Sequence, residues 1–194
     1  ELLGVIARLR IGLGDYQEAL ELSQRQEALL AQIDQPPIGL QLEAVTQHGR
    51  TLRLLDRSQE CLQVMAPAEM LVSRLQAQQS SQEADFLSQF GRCRRLMGER
   101  QAADQLYERS LAMRRAMKDE GGVAENFYDR ALIDNDQGRI DQALAGYDKA
   151  LAHLHKYVGN TNSLAAEIQV SRGRLFRARG DTAAAQATFR SALV

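Results

Sequence analysis

The chain has 194 residues, enough for a sizeable core, and a formal net charge of −1 with Arg outnumbering Lys 21 to 3. That balance lacks the basic excess of a nucleic-acid binder. Three prolines, no Trp and no alternating β-branched stretch leave an all-α chain dominated by good helix formers, and no apolar run reaches the ~20 residues that span a bilayer.

Breaker-centred turns recur along the chain at Leu13-Gly14-Asp15, Leu55-Asp56-Arg57, Met97-Gly98-Glu99, Gln137-Gly138-Arg139 and Arg179-Gly180-Asp181. Their middle residues are spaced by 42, 42, 40 and 42 positions, so the chain reads as a repeat array. Positions counted from each turn residue then form a common frame. The first unit, 1–42, carries Ala7 seven before its turn, and Ala19 and Ser23 five and nine after it. The second, 43–84, carries Gly49, Cys61 and Met65 at those places, with Asp56 in place of the turn Gly. Pro67 falls where its second helix should run and is expected to kink or end it. The third, 85–124, carries Gly91, Ala103 and Tyr107; the fourth, 125–166, Ala131, Ala143 and Tyr147; the fifth, 167–194, Gly173, Ala185 and Phe189.

This pattern predicts antiparallel helix pairs. Small residues at facing positions let two backbones approach, and Gly ends the first helix in a left-handed conformation at low cost. The large residue nine after the turn is expected to fill the wedge toward the next unit. The stretches Gln32–Gly39, Gln76–Gln82, Lys118–Gly122 and Gly159–Ser163 read as connectors, rich in Gly, Pro, Asn and Ser. Without a separate linker, 1–194 is expected to be a single array.

Unit four, from Ala131 through Gly138, Ala143 and Tyr147 to Ala150, resembles the tetratricopeptide repeat (TPR). The longer unit is similar to the kinesin-light-chain variety. The resemblance implies an all-α, right-handed superhelical solenoid of helix pairs whose first helices line a concave groove, and neighbours that share one core. It also implies a non-enzymatic module that binds a protein or peptide in that groove. The alternative is the ligand-sensing region of a larger bacterial signalling protein, a serine/threonine kinase or a transcription activator.

Residues on the groove side that the frame does not require are the candidate binding residues. Six before the turn stand Arg8, Arg50, Arg92 and Arg174; three before it stand Arg53, Arg95, Asn135 and Arg177. Residues three apart share a helix face, so the arginines form a ladder suited to a carboxylate or an acidic partner segment. Thirteen before the turn stand Glu1, Glu43, Asp85, Glu125 and Glu167. This acidic ring either pairs with the arginines of neighbouring units or serves helix N-termini. His153 and His155, two apart on a helix, point to different faces, and His48 has no Cys or carboxylate at ligand spacing, so all three read as surface or half-buried residues; Cys61 and Cys93 read as core residues, with a disulfide between them as the alternative in an oxidising compartment. No catalytic, metal or cofactor motif is found. The chain is expected to bind neither nucleic acid nor metal, and its uncapped ends allow homo-oligomers. Its expected compartment is the cytoplasm, with a periplasmic sensor as the alternative.

Overall fold

The computed structural model describes residues 2–74, 80–159 and 163–193. Glu1, Val194 and residues 75–79 and 160–162, which hold the inner parts of the second and fourth connectors, lie outside the described residues. Among those described there are ten α-helices and no strand: α1 (Leu2–Leu13), α2 (Tyr16–Leu30), α3 (Ile38–Leu54), α4 (Ser58–Arg74), α5 (Ser81–Leu96), α6 (Arg100–Met117), α7 (Glu120–Asp136), α8 (Ile140–Tyr157), α9 (Ser163–Ala178) and α10 (Thr182–Ser191). They form the antiparallel hairpins of a helical-repeat fold. Contacts group the chain into two compact units, Glu1–Met113 and Arg114–Val194.

Every expected turn is a left-handed helix stop. Gly14, Gly98, Gly138 and Gly180 have φ of 84°, 83°, 70° and 80°, and Asp56 takes the same conformation at φ 59°. Each is closed by a six-to-one backbone bond: Asp15 N donates to Arg10 O, Arg57 N to Leu52 O, Glu99 N to Arg94 O and Arg139 N to Asp134 O, all at 2.9 Å, and Asp181 N to Phe176 O at 3.0 Å. This geometry satisfies carbonyls that the helix end would otherwise orphan. Ser80 caps α5 by accepting from Glu83 N, Asp119 caps α7 by accepting from Gly122 N and Asp181 caps α10 by accepting from Ala184 N.

In the second, third and fifth hairpins the large residue folds back onto the small residue of its own first helix, and Met65 also reaches toward the next unit, its Sδ 3.7 Å from Cys93 Sγ. A Cβ at Gly49 would stand 2.5 Å from Met65 Sδ, at Gly91 2.5 Å from Tyr107 Cε1 and at Gly173 2.5 Å from Phe189 Cε1. In the first unit α1 packs on α2 and α3, and α3 on α4 and α5. Its core holds Leu42, Leu52, Met65, Phe86, Leu87 and Phe90, all essentially fully buried. In the second unit α7 packs on α8, α8 on α9 and α9 on α10, around Tyr128, Tyr147, Leu154, Ile168 and Leu175.

Three expectations change. Pro67 does not end α4, which continues to Arg74; Pro67 and Gln63 are both exposed, so water can take the carbonyl that the missing N–H leaves. The third connector is shorter than expected, because Glu120, Gly121 and Gly122 form the first turn of α7. There Gly122 is buried under Arg114 and Asp119, where a Cβ would collide with both. Cys61 and Cys93 are core residues and also a pair, a disulfide from α4 to α5 with Cα atoms 5.9 Å apart. No described helix is long and apolar enough to cross a membrane.

Candidate functional site

In the first unit the first helices α1, α3 and α5 lie side by side. Their shared wall holds a polar cavity of about 280 Å³, lined by Arg8 from α1, by Glu43, Thr46 and Gln47 from α3, and by Ser81, Gln82 and Asp85 from α5. Arg8, the one cation among the described lining residues, is ion-paired with Glu43. Its guanidinium is therefore engaged across one repeat, by a member of the acidic ring.

Gln47 is the unusual member. It is 7% exposed, and its Oε1 is buried with no hydrogen-bond partner. Buried carbonyls are normally satisfied, and an orphaned one costs about 1–3 kcal/mol. Gln89 stands at the same place in the next repeat, nine before the turn, and it too is buried with an unpartnered Oε1. Beside Gln47, Thr46 spends its hydroxyl hydrogen on Leu42 O at 2.6 Å, which leaves its oxygen as an acceptor. The cavity is thus rich in acceptors.

Of the arginines marked by the sequence, Arg50 and Arg53 share α3, Arg92 and Arg95 share α5, and these two helices pack together. All four are half-buried, and each makes a polar or ring contact of its own. Asn135, half-buried on α7, and Arg174 and Arg177, exposed on α9, belong to the second unit.

Elsewhere the acidic ring also reaches back to earlier elements. Glu125 lies 3.6 Å from the buried Arg114, which also pairs with the cap residue Asp119. Glu167 accepts from Tyr128 Oη at 3.3 Å, and Ser171 Oγ lies 2.8 Å from the same oxygen. Burial, and after it the Glu167 charge, pushes the Tyr128 phenol up to about 12. Two histidines do have carboxylate partners. His48 is buried, with Nδ1 3.0 Å from Glu27, and His153 Nε2 is 2.7 Å from Glu120. No group of three or more His, Cys, Asp or Glu suited to a metal ion occurs among the described residues.

Sequence reasoning missed Gln47 and Gln89. The available signal was a long polar residue repeated at one offset in consecutive units, on a helix face otherwise committed to the core.

A tetratricopeptide repeat family profile matches residues 123–193, and a second of the same description matches 87–121. No curated protein matches the chain. Among solved structures the chain is similar to BtubC (BKLC) from P. vanneervenii, with 16% identity, 98% of this chain and 76% of that one covered, and a TM-score of 0.73. It is similar to the kinesin-light-chain-like TPR repeats of Podosopora anserina, with 17% identity, 98% and 91% covered, and a TM-score of 0.68. It is also similar to the Rap conjugation gene regulator of plasmid pLS20 in complex with the Phr* peptide, with 13% identity, 96% and 50% covered, and a TM-score of 0.79. The profiles cover more than half of the chain and fall on the turn, crossing and aromatic positions of the repeat frame; the chain belongs to the tetratricopeptide repeat family.

Proposed function

We propose that this chain is a non-catalytic module that binds a peptide or an extended protein segment along the wall of α1, α3 and α5. The observation that carries this reading is the polar cavity in that wall, which counts among its lining residues Gln47, a buried glutamine whose carbonyl has no hydrogen-bond partner. The repeat frame needs apolar and small residues, so polar groups buried there without partners are better explained by a ligand. The likeness of the fold to the Rap regulator bound to its Phr* peptide supports the same use. Arg50, Arg53, Arg92 and Arg95 add guanidinium forks of the kind that hold carboxylates in pairs of hydrogen bonds. An acidic stretch in the bound segment fits them. Arg8 belongs to the same proposed wall, whereas Asn135, Arg174 and Arg177 stand on α7 and α9 of the second unit and are proposed as contacts of that unit by itself.

An array of immobilised random peptides of about twelve residues, probed with the whole chain, tests this. Selected peptides should contain acidic residues and lose at least tenfold in affinity when Arg50, Arg53, Arg92 and Arg95 are replaced together by Gln, roughly 1.4 kcal/mol or more. An array with no peptide above background would remove the reading.

One observation favours a second reading, self-association. Helix α1 exposes Leu2 at 73%, Leu9 at 62% and Leu13 at 72%, along one apolar stripe with Val5. Sedimentation across a concentration series should show a growing mass if α1 docks on another copy, and a constant monomer mass if it does not.

A further inference from the structure

We infer that copies of this chain stack head to tail, the α10 face of one copy closing on the α1 face of the next as one repeat closes on its successor. This rests on the self-association reading above and names the surface that meets α1.

Inside the chain, α2 packs on α3, α4 on α5 and α8 on α9, each time a second helix against the first helix of the following repeat. The first-helix positions twelve and five before the turn are shut away at these junctions. Ala44, Phe86 and Ile168 are 0% exposed, as are Thr51 and Cys93, and Leu175 is 6% exposed. On α1 the same two positions carry Leu2 and Leu9, at 73% and 62%. The apolar stripe of α1 is thus the surface on which the repeat frame seats a second helix, and it stands in water.

The contacts across an internal junction fall at fixed offsets from the two turns. Cys61 and Met65, five and nine after one turn, meet Cys93, five before the next. Asp141, three after, pairs with Arg179, one before, at 2.7 Å. Glu27, thirteen after, holds His48, eight before, at 3.0 Å. Carried over to α10 and α1, these offsets set Ala185 and Phe189 against Leu9, Ala183 against Leu13, and Leu193 against Ile6. Two polar pairs become apolar pairs, with the change made on both sides at once. Two further internal pairs, Asp148 with Arg172 and Glu69 with Arg94, become Arg190 against Ile6 and Leu193 against Arg10. There an arginine stem can lie along an apolar side chain, and no like charges meet.

The α10 side is open to match. Ala183 is exposed, Leu193 is 88% exposed, and Phe189 is half-buried where its counterparts Met65 and Tyr147 are fully buried. The two faces differ, so the contact is heterologous and each added copy brings a fresh face of each kind.

Leu9→Glu/Leu13→Glu blocks the α1 face and Ala183→Glu/Leu193→Glu the α10 face. All four residues are exposed, so both variants should fold, which circular dichroism checks. Sedimentation of the whole chain from about 10 µM to about 1 mM should show the mean mass of the parent climbing with concentration. Each variant alone should stay a monomer. Their equimolar mixture should form a dimer, because each variant brings the one face the other lacks. A mixture that stays monomeric, or an α10-face variant that associates like the parent, would overturn head-to-tail stacking alone and leave α1 against α1. A parent that is monomeric throughout, or an α1-face variant that associates like the parent, would remove the self-association reading as well.

Discussion

Gly91 and Tyr107 share a single space: the phenol ring occupies the gap that a side chain at Gly91 would fill, its Cε1 2.5 Å from the place of that Cβ. The ring is completely buried. Gly91→Val should therefore destabilise the protein by about 1–3 kcal/mol through overpacking. Tyr107→Leu combined with it should cost less than the sum of the two single changes, because the residues touch. Urea denaturation of the four proteins measures this, and strict additivity would show that the crossing does not depend on the pair.

Asp56 occupies a conformation that its four counterparts reserve for Gly. A side chain in the left-handed region costs up to about 1–2 kcal/mol, less for Asp and Asn. Asp56→Gly should raise the melting temperature, and Gly98→Ala should lower stability by about 1 kcal/mol. A thermal melt in which Asp56→Gly is less stable than the parent would mean that the Asp side chain supplies a compensating contact.

Tyr128 sets an alkaline limit. Its folded-state phenol is raised to about 12 by burial and the neighbouring Glu167, against about 10 when unfolded. Below pH 10 both states hold the proton and the group adds no pH dependence. Between pH 10 and about 12 only the folded state keeps it, so stability falls with rising pH, by about 2–3 kcal/mol in all. Tyr128→Phe should flatten that part of the profile, although it loses the bonds to Ser171 and Glu167. Denaturant midpoints taken from pH 9 to 12 decide it.

Cys61 and Cys93 join α4 to α5 across a sequence separation of 32. Closing a loop of that length restrains the unfolded chain by about 3–4 kcal/mol in the entropy account. Unfolded but unreduced protein should contain no free thiol by alkylation and mass spectrometry. Adding a reductant should lower the unfolding midpoint of the parent and leave a Cys61→Ser/Cys93→Ser double variant unaffected.

The repeat frame was legible because each of its parts is a local demand. A left-handed turn calls for Gly, or Asp at one place, and a helix crossing calls for a small residue opposite a large one. Positions 49, 91 and 173 could be marked as small by counting from the turn, but that they receive Met65, Tyr107 and Phe189 of their own hairpins is a pairing the count did not give. The arginine row was also visible by counting, but its engagement was not. That Arg8 closes on Glu43, 35 residues away, depends on how far two helices lie apart and how each is rotated. The pairing of His48 with Glu27 has the same origin.

The sequence by itself determined where helices stop, how long each unit is and which crossing positions are small, since these follow from φ preferences and helical periodicity within about forty residues. Only the tertiary structure decided which charges neutralise one another, that Cys61 meets Cys93, and that Gln47 is shut away from water with an unmet carbonyl. Those outcomes depend on side-chain reach between helices far apart in the chain, where an ångström of packing separates a satisfied hydrogen bond from an empty one.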